Sequence, residues 1–213
     1  MLDAHTGELI SADNFAPVNW ASHVDPVTGR PVENPAARFD KTGEPAFVTP
    51  TGQGAHNWQP MSFNPATGLV YFRSRHNAQA YIPMPAADFR PTNVGTNTGL
   101  VRPVPAEIAA RVDAQPGLAF ADRGAMIGWD PVARRPRWRF VHPNGAGKRR
   151  TLATAGGLVF AGGGERQLIA YNAETGERIW HFSAQTGVAA GPISYEMNGQ
   201  QYIAVAAGRG LQP

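Results

Sequence analysis

A turn motif that recurs along the chain constrains the fold more than any other feature of the sequence. The segment AYNAETGERIW (170–180) aligns without gaps on GWDPVARRPRW (128–138), so that Asn172 follows Asp130 by 42 residues. Weaker copies keep the Asp or Asn and the Thr-Gly pair but lack the final tryptophan: MLDAHTGELIS (1–11), HVDPVTGRPVE (23–33) and SFNPATGLVYF (62–72). Repeats of this length are typical of folds that stack small, similar units.

Each copy of the motif predicts a strand, a tight turn and a second strand. An Asp or Asn side chain accepts hydrogen bonds from the backbone just ahead of it, and Gly adopts the positive φ that closes a hairpin. The neighbouring apolar runs are rich in β-branched, aromatic or small residues and are too short for buried helices. These runs are LVYF (69–72), GLVFAG (157–162), QLIAYN (167–172) and QYIAVAAG (201–208).

Hairpins that repeat at about 40 residues predict the four-stranded antiparallel blades of a β-propeller. The predicted fold class is therefore all-β, a partial and open propeller that forms one domain over residues 1–213. Trp138 and Trp180 are expected to be core side chains that close the gap between successive blades. The periodicity fails between Arg73 and Ala125, which predicts an irregular insertion over about 73–125 with one short helix at 105–112.

Composition excludes several classes of protein. The absence of cysteine excludes disulfides, thiolate metal sites and a cysteine nucleophile. The sequence contains no run of eighteen apolar residues, so it predicts no membrane-spanning helix. The net charge of +3 includes one dense basic cluster at 148–150, without the interleaved aromatic residues of a nucleic-acid site. We therefore expect neither a membrane span nor nucleic-acid binding.

The run GAHNWQPMSFNPATGLVYF (54–72) resembles the signature segment of pyrroloquinoline quinone (PQQ)-dependent methanol and ethanol dehydrogenases. In that family an Asn-Trp pair precedes a Pro-Met-Ser/Thr strand and a hairpin. Further segments resemble consecutive pieces of the C-terminal half of the same family, namely 15–33, 128–138, 151–163, 170–180 and 186–208. The resemblance covers essentially the whole chain. It implies a propeller of roughly eight blades, of which this chain holds about half, with the quinone and a calcium or lanthanide ion on its axis.

The resemblance also implies three cofactor-binding residues. Asn57 and Trp58 match the Asn-Trp pair whose side chains approach the oxygens and carboxylates of the quinone, and Val188 falls on a short loop near its rim. An amide and an indole N–H are donors that suit an anionic tricyclic ligand. From spacing alone, a capped turn and a core indole are the favoured interpretation of the pair, whereas the flanking HNWQPMSFNP context favours a cofactor-facing pair. The neighbouring His56 has two interpretations, a structural or solvated side chain and a base or metal ligand.

The same resemblance places the catalytic aspartate, the metal ligands, an adjacent-cysteine disulfide and a cationic side chain upstream of this segment. We therefore predict no catalytic and no metal-binding residue in the chain. Its first and last residues resemble the interior of a longer propeller, so we expect an open arc that is inactive by itself and marginally stable or prone to aggregate. The run GAGKRRT (145–151) departs from the Asn-Gly-Gly that the family carries before this strand.

Two functional hypotheses remain open from the sequence. The first is a fragment of a periplasmic dehydrogenase that oxidises a small-molecule alcohol, with PQQ as cofactor and cytochrome c as electron acceptor. The alternative is a non-catalytic propeller module that binds protein partners, as periplasmic assembly factors do. The HNWQPMS motif favours the first hypothesis, because a scaffold propeller has no need of it.

Overall fold

The computed structural model describes residues 1–142, 150–163 and 166–208, and within these ranges the chain is built mainly from short strands. The helical segments are a 3₁₀ turn at Pro35–Ala37, α1 at Phe39–Thr42 and α2 at Ala106–Ala109. The strands are β1 (Ala21–Val24), β2 (Pro31–Glu33), β3 (Ala46–Val48), β4 (Ser62–Asn64), β5 (Leu69–Arg75), β6 (Gln79–Tyr81), β7 (Gly124–Asp130), β8 (Arg135–Val141), β9 (Thr151–Ala153), β10 (Leu158–Gly162), β11 (Gln167–Asn172), β12 (Arg178–Ser183), β13 (Ile193–Met197) and β14 (Gln200–Ala204).

The chain divides into two compact units. The first combines Met1–Gly52 with His76–Ala121, and the second combines Gln53–Arg75 with the chain from Asp122 onward. A single propeller domain over 1–213 stays a prediction. None of the described helices is both long and apolar enough to cross a membrane.

The first unit contains two small antiparallel ribbons and the irregular stretch. Strand β1 pairs with β2, and β3 pairs with β6. Its small core holds Ala37, Ala46 and Val48, beside which the rings of Phe39 and Tyr81 stack at 5.3 Å. The short helix predicted at 105–112 is confirmed by α2, although α2 spans only four residues before the chain continues in turns.

The second unit contains two four-stranded antiparallel sheets, in the orders β4-β5-β7-β8 and β12-β11-β10-β9. We refer to them as the first blade and the second blade. They come closest at their inner strands β4 and β9, where the Ser62 hydroxyl donates to Thr151 Oγ1 at 2.9 Å. The prediction of an all-β partial propeller with four-stranded antiparallel blades is confirmed.

The β13–β14 hairpin continues the repeat as the start of a third blade. Thr151 and Leu158, which begin β9 and β10, lie 42 residues before Ile193 and Gln200, which begin β13 and β14. Ile203 of β14 packs against the second blade in a cluster with Phe160, Leu168 and Val188. Strand β13 therefore corresponds to β4 and β9, the inner strands of the other two blades.

All five copies of the turn motif form the predicted Asx turn. The side-chain oxygen of each Asp or Asn accepts from backbone N–H groups two or three residues ahead, at Asp3, Asp25, Asn64, Asp130 and Asn172. The fourth residue after each one has a positive φ. In four copies that residue is Gly, and in the fifth it is Arg134, with a φ of 57°.

The indole of Trp138 packs between the first and second blades, as predicted. Only 8% of the residue is exposed, and its Nε1 donates to the carbonyl of Ala173 at 2.9 Å. Gly128 and Gly176 lie directly against the ring, so that a Cβ atom at either position would overlap the indole. Tyr71 stacks beside it at 5.8 Å, and its hydroxyl donates to the same carbonyl.

Trp180, the counterpart of Trp138 in the second blade, is half-exposed, with 49% of its surface accessible. The prediction that this ring is buried between blades is therefore wrong for this chain. Its strand position is nevertheless equivalent, because Trp138 pairs with Gly128 and Trp180 with Ala170, each beside a register shift. What differs is that no Asx turn of a following blade covers Trp180 within the described residues.

Candidate functional site

The loop that carries Asn57 and Trp58 runs from residue 53 to residue 60 and leads into β4. Gly54 has a φ of +71°, and a Cβ atom there would lie 2.5 Å from the backbone oxygen of His56, so the turn requires glycine. The Asn57 side chain then closes the loop, because its Nδ2 donates to the Gln53 carbonyl at 3.1 Å and its Oδ1 accepts from the Trp58 N–H at 2.8 Å.

The loop is held against β5 by hydrogen bonds from the end of that strand. The Arg75 N–H donates to the Ala55 carbonyl at 2.7 Å. The Arg75 guanidinium donates to the carbonyls of Gln53 and Gly54 at 3.2 and 3.3 Å. These bonds fix the direction in which Asn57 and Trp58 leave the sheet.

His56 supports the loop from its other side. Its Nδ1 lies 2.8 Å from the Arg73 carbonyl and its Nε2 lies 2.9 Å from the Gln59 carbonyl. Both ring nitrogens therefore face hydrogen-bond acceptors, and neither presents a lone pair to a metal ion or a substrate. The structural interpretation of His56 is favoured over the base or metal ligand.

The Trp58 side chain projects away from the core, with 62% of its surface exposed. The alternative that Trp58 is a core indole is therefore wrong, whereas the capped turn is present. The Arg150 guanidinium lies over the indole, with its central carbon 4.6 Å from the ring centroid. Arg150 Nη1 also donates to the Ala189 carbonyl at 3.0 Å, so this one side chain joins the Trp58 loop to the chain segment beside Val188.

Val188 lies next to this arrangement, but its side chain points into the core. Only 1% of it is exposed, and it packs with Phe160, Leu168 and Ala170. The part of this loop that approaches Trp58 and Arg150 is the backbone at Ala189. Its role as a cofactor contact stays a prediction, and the structure assigns the side chain itself to packing.

Three segments thus meet at one end of the second unit, and each of them directly precedes an inner strand. The loop at 53–60 precedes β4, Arg150 precedes β9, and the loop at 186–191 precedes β13. The Thr151 N–H reaches the Pro60 carbonyl at 3.4 Å, which joins the first two segments. The propeller repeat therefore brings together residues that lie far apart in the sequence.

Arg150 is a site residue that the sequence did not predict. Its only signal was the basic run at 145–151, which departs from the family pattern and of which 145–149 lie outside the described residues. Nothing in that run by itself predicts a cation that faces a ligand. The position of Arg150 over Trp58 depends on a contact between segments more than 90 residues apart, which spacing cannot show.

The groups at this site are hydrogen-bond donors and fit an anionic planar ligand. They are the exposed indole of Trp58, the amide of Asn57 and the guanidinium of Arg150, and none of the ion pairs formed by described residues includes Arg150. Beside Trp58, the Gln59 side chain is buried and its Nε2 has no hydrogen-bond partner in the described part of the chain. A buried donor without a partner calls for a ligand or an ordered water.

No group of three or more metal-ligating side chains occurs in 1–142, 150–163 and 166–208. The family resemblance implies a metal ion in the whole protein. That its ligands precede this segment stays a prediction.

Comparison with known proteins shows what this chain is similar to. The sequence model of the PQQ family, described as "Glucose/ethanol/alcohol dehydrogenase, beta-propeller domain", matches residues 133–203. The quinohemoprotein alcohol dehydrogenase ADH IIB of Pseudomonas putida is 42% identical over 213 residues, which cover 99% of this chain and 28% of that protein. The chain thus spans well under a third of that relative's length.

Solved structures agree with the sequence comparison. The quinohemoprotein alcohol dehydrogenase ADHIIG of Pseudomonas putida HK5 superimposes with a TM-score of 0.81 at 37% identity, over 98% of this chain and 30% of that one. A europium-containing methanol dehydrogenase superimposes with a TM-score of 0.77 at 26% identity, over 96% of this chain and 34% of that one. Taken with the blades and their repeated turns, these matches show that the chain is similar to a C-terminal part of the propeller of PQQ-dependent alcohol dehydrogenases.

Proposed function

We propose that this chain forms one arc of the cofactor pocket in a PQQ-dependent dehydrogenase that oxidises alcohols. The observation that carries the proposal is the loop at 53–60, which presents the exposed Trp58 indole and the Asn57 amide beside the Arg150 cation. Hydrogen bonds from β5 hold this loop in place before any ligand binds, as a preorganised binding site requires.

The proposed roles follow from the chemistry of each group. Asn57 and Trp58 bind and orient the cofactor through an amide N–H and an indole N–H. The backbone beside Val188 lies at the rim and, with the buried Val188 side chain behind it, excludes water from that edge. Bound PQQ would supply a quinone carbonyl that accepts a hydride from the alcohol carbon. The carboxylate that takes the alcohol proton is expected on a part of the enzyme that precedes this segment.

The remaining features of the whole protein are proposed from the family. They are a calcium or lanthanide ion next to the cofactor, cytochrome c as electron acceptor and a periplasmic location. The europium in one superimposable dehydrogenase supports a lanthanide, as opposed to calcium, as the metal ion. The quinohemoprotein relatives support electron transfer to haem.

The alternative of a non-catalytic propeller that binds protein partners has less support. Both the sequence relative and the structural neighbours described above are named as alcohol or methanol dehydrogenases. The chain also retains a braced Asn57–Trp58 loop, which a purely structural blade does not require.

Cofactor binding by the purified 213-residue chain tests the proposal. Titration with PQQ in the presence of Ca²⁺, followed by isothermal calorimetry, should give saturable binding by the unaltered chain. Trp58→Ala and Asn57→Ala should each weaken it about 10-fold, which corresponds to the loss of one good hydrogen bond or stacking contact. Trp180→Ala, which removes a half-exposed indole at the opposite edge of the second blade, is the matched control and should leave binding unchanged. Affinity that is unaffected by both site variants would refute the proposed pocket.

A further inference from the structure

Arg150 occupies a position that no assigned role explains. It directly precedes the inner strand β9, and its side chain extends over Trp58 while donating a hydrogen bond to the Ala189 carbonyl. We propose that Arg150 is an additional cofactor-binding residue, whose guanidinium binds a carboxylate of PQQ beside the Trp58 indole. This inference rests on the proposed function and adds to it a cation that this chain itself provides.

The path of the Arg150 side chain is set by its surroundings. Its aliphatic part passes directly beside Gly191, where an added Cβ atom would come within 3.2 Å of Arg150 Cδ. The Ala189 carbonyl then holds Nη1 at 3.0 Å. Both contacts come from the loop before β13, so the guanidinium is held between the second blade and the start of the third.

The contact with Trp58 holds the guanidinium over the indole without consuming its donors. A cation over an indole face is attracted by the negative electrostatic potential of that face. This attraction leaves the N–H groups of the guanidinium for other partners. Arginine has five N–H donors, and one of them is used by Ala189 in the described structure. None of the remaining donors has a partner among the residues that the structure describes, and they lie beside the exposed indole.

Charge at the site favours an anion over a neutral ligand. Arg150 takes part in none of the ion pairs of the described residues, so an incoming carboxylate would displace no carboxylate of those residues from it. A guanidinium binds a carboxylate through two parallel hydrogen bonds, and such bonds are stronger than those between neutral groups. Trp58 and Asn57 then contribute donors that bind without adding charge.

The place of Arg150 in the repeat supports the same conclusion. It stands just before β9, as the loop that carries Trp58 stands just before β4 and the loop that carries Ala189 stands just before β13. This end of each repeat therefore supplies one of the three groups that meet here, namely the Trp58 indole, the Arg150 guanidinium and the Ala189 carbonyl.

The test compares PQQ with its trimethyl ester, in which the three carboxylates are neutralised. Both ligands are titrated into the unaltered chain, Arg150→Gln, Arg150→Lys and the matched control Arg178→Gln, which removes an exposed arginine from β12. Arg150→Gln should weaken PQQ binding about 10-fold and binding of the ester less than about 2-fold. Arg150→Lys should weaken PQQ binding by an intermediate amount, because lysine keeps the charge but lacks the two parallel N–H donors of the guanidinium. Arg178→Gln should change neither affinity.

Each other outcome overturns the inference in a recognisable way. Equal weakening for PQQ and its ester would make Arg150 a structural support of the loop. Tighter PQQ binding by Arg150→Gln would mean that the guanidinium occupies the place of the cofactor. If Arg150→Gln left PQQ binding unchanged while Trp58→Ala still weakened it, the proposed role of Arg150 would be refuted and the proposed function would stand. No PQQ binding by the unaltered chain would refute the proposed function and this inference with it. Circular dichroism of each variant confirms the fold, and Arg150→Lys covers the case in which Arg150→Gln does not fold.

Discussion

Trp138 and Trp180 end the same motif 42 residues apart, yet one is buried and the other is half-exposed. Trp138 is covered by the Asx turn of the second blade, which offers a carbonyl acceptor at Ala173 and a flat glycine surface at Gly176. Trp180 has an equivalent strand position and no such turn against it in the described residues. The motif therefore specifies where a tryptophan projects, whereas its burial depends on the next repeat.

The interface at Trp138 also illustrates how a buried polar group is accommodated. The Ala173 carbonyl accepts from both the Trp138 indole and the Tyr71 hydroxyl, and the Tyr71 hydroxyl also lies 2.6 Å from Thr67 Oγ1. Burial raises the pKa of the Tyr71 hydroxyl above its usual value, although the Thr67 hydrogen bond opposes this. The phenol therefore remains protonated and continues to donate at neutral pH.

The sharpest test of this comparison removes each tryptophan in turn. Trp138→Ala should lower the free energy of unfolding by about 3–5 kcal/mol, as for other buried aromatic residues. Trp180→Ala should lower it by about 1 kcal/mol or less, because half of that ring is already in water. Urea denaturation followed by circular dichroism measures both. Equal losses would show that exposure does not distinguish the two sites.

A second test changes the surface on which Trp138 rests. Gly176 and Gly68 both have a positive φ, so an alanine at either place should cost about 1 kcal/mol in backbone strain. At Gly176 the added methyl group would also overlap the Trp138 indole, whereas at Gly68 it meets open space. We expect Gly176→Ala to cost about 1–3 kcal/mol more than Gly68→Ala in the same denaturation experiment. A difference near zero would contradict tight packing at this turn.

The turn before Trp138 offers a stabilising change. Arg134 occupies the position that the other four turns give to glycine, at a φ of 57°. Arg134→Gly should raise the free energy of unfolding by about 0.5 kcal/mol, because relief of the strain exceeds the added freedom of the unfolded chain. Arg135→Gly, one residue later in β8, serves as the control and should be destabilising by about 0.5–1 kcal/mol. Destabilisation by both changes would argue against strain at Arg134.

The smallest expected effect is on the stability of the fold at acidic pH. In the turn before Trp138, hydrogen bonds from the Ala133 N–H and other donors lower the pKa of Asp130, whereas the equivalent residue before Trp180 is the uncharged Asn172. A carboxyl group whose pKa is lower in the folded state than in the unfolded state stabilises the folded protein. This contribution is complete above the unfolded-state pKa of about 3.9, and it is lost as the pH falls through the folded-state pKa.

The unaltered chain should therefore lose more stability between pH 6 and pH 3 than Asp130→Asn, in which the amide does not titrate. Urea midpoints measured across this range give the difference between the two proteins. Because Asp3 and Asp25 also have lowered pKa values and are present in both, their contributions cancel in the comparison. Parallel midpoint curves would exclude a role for the ionised Asp130.

The strands and turns of the repeated motif could be predicted because they depend on local chemistry. An Asp or Asn followed by Thr-Gly builds its turn from its own hydrogen bonds, whatever surrounds it. The burial of Trp180 could not be predicted in the same way, because it depends on a neighbouring repeat. The division into two compact units was not predicted either, because chain segments 20 or more residues apart determine it.

The site was predictable to a lesser degree. Asn57 and Trp58 were identified through the family motif, and the structure places them on a braced loop beside Arg150. The burial of the Val188 side chain and the two carbonyl contacts of His56 could not be predicted, because both depend on residues from other strands. Arg150 was missed for the same reason, since its partners lie 92 residues before it and 39 residues after it.

Each repeat in the second unit has two ends with different constraints. The Asx turn of the second blade stands at one end, where Ala173 and Gly176 contact Trp138 of the first blade. The segments before β4, β9 and β13 stand at the other end, where the Trp58 loop, Arg150 and the Ala189 loop meet without taking part in that contact. Ligand preference in such a protein can therefore change by substitutions at one end while the architecture is preserved by the other.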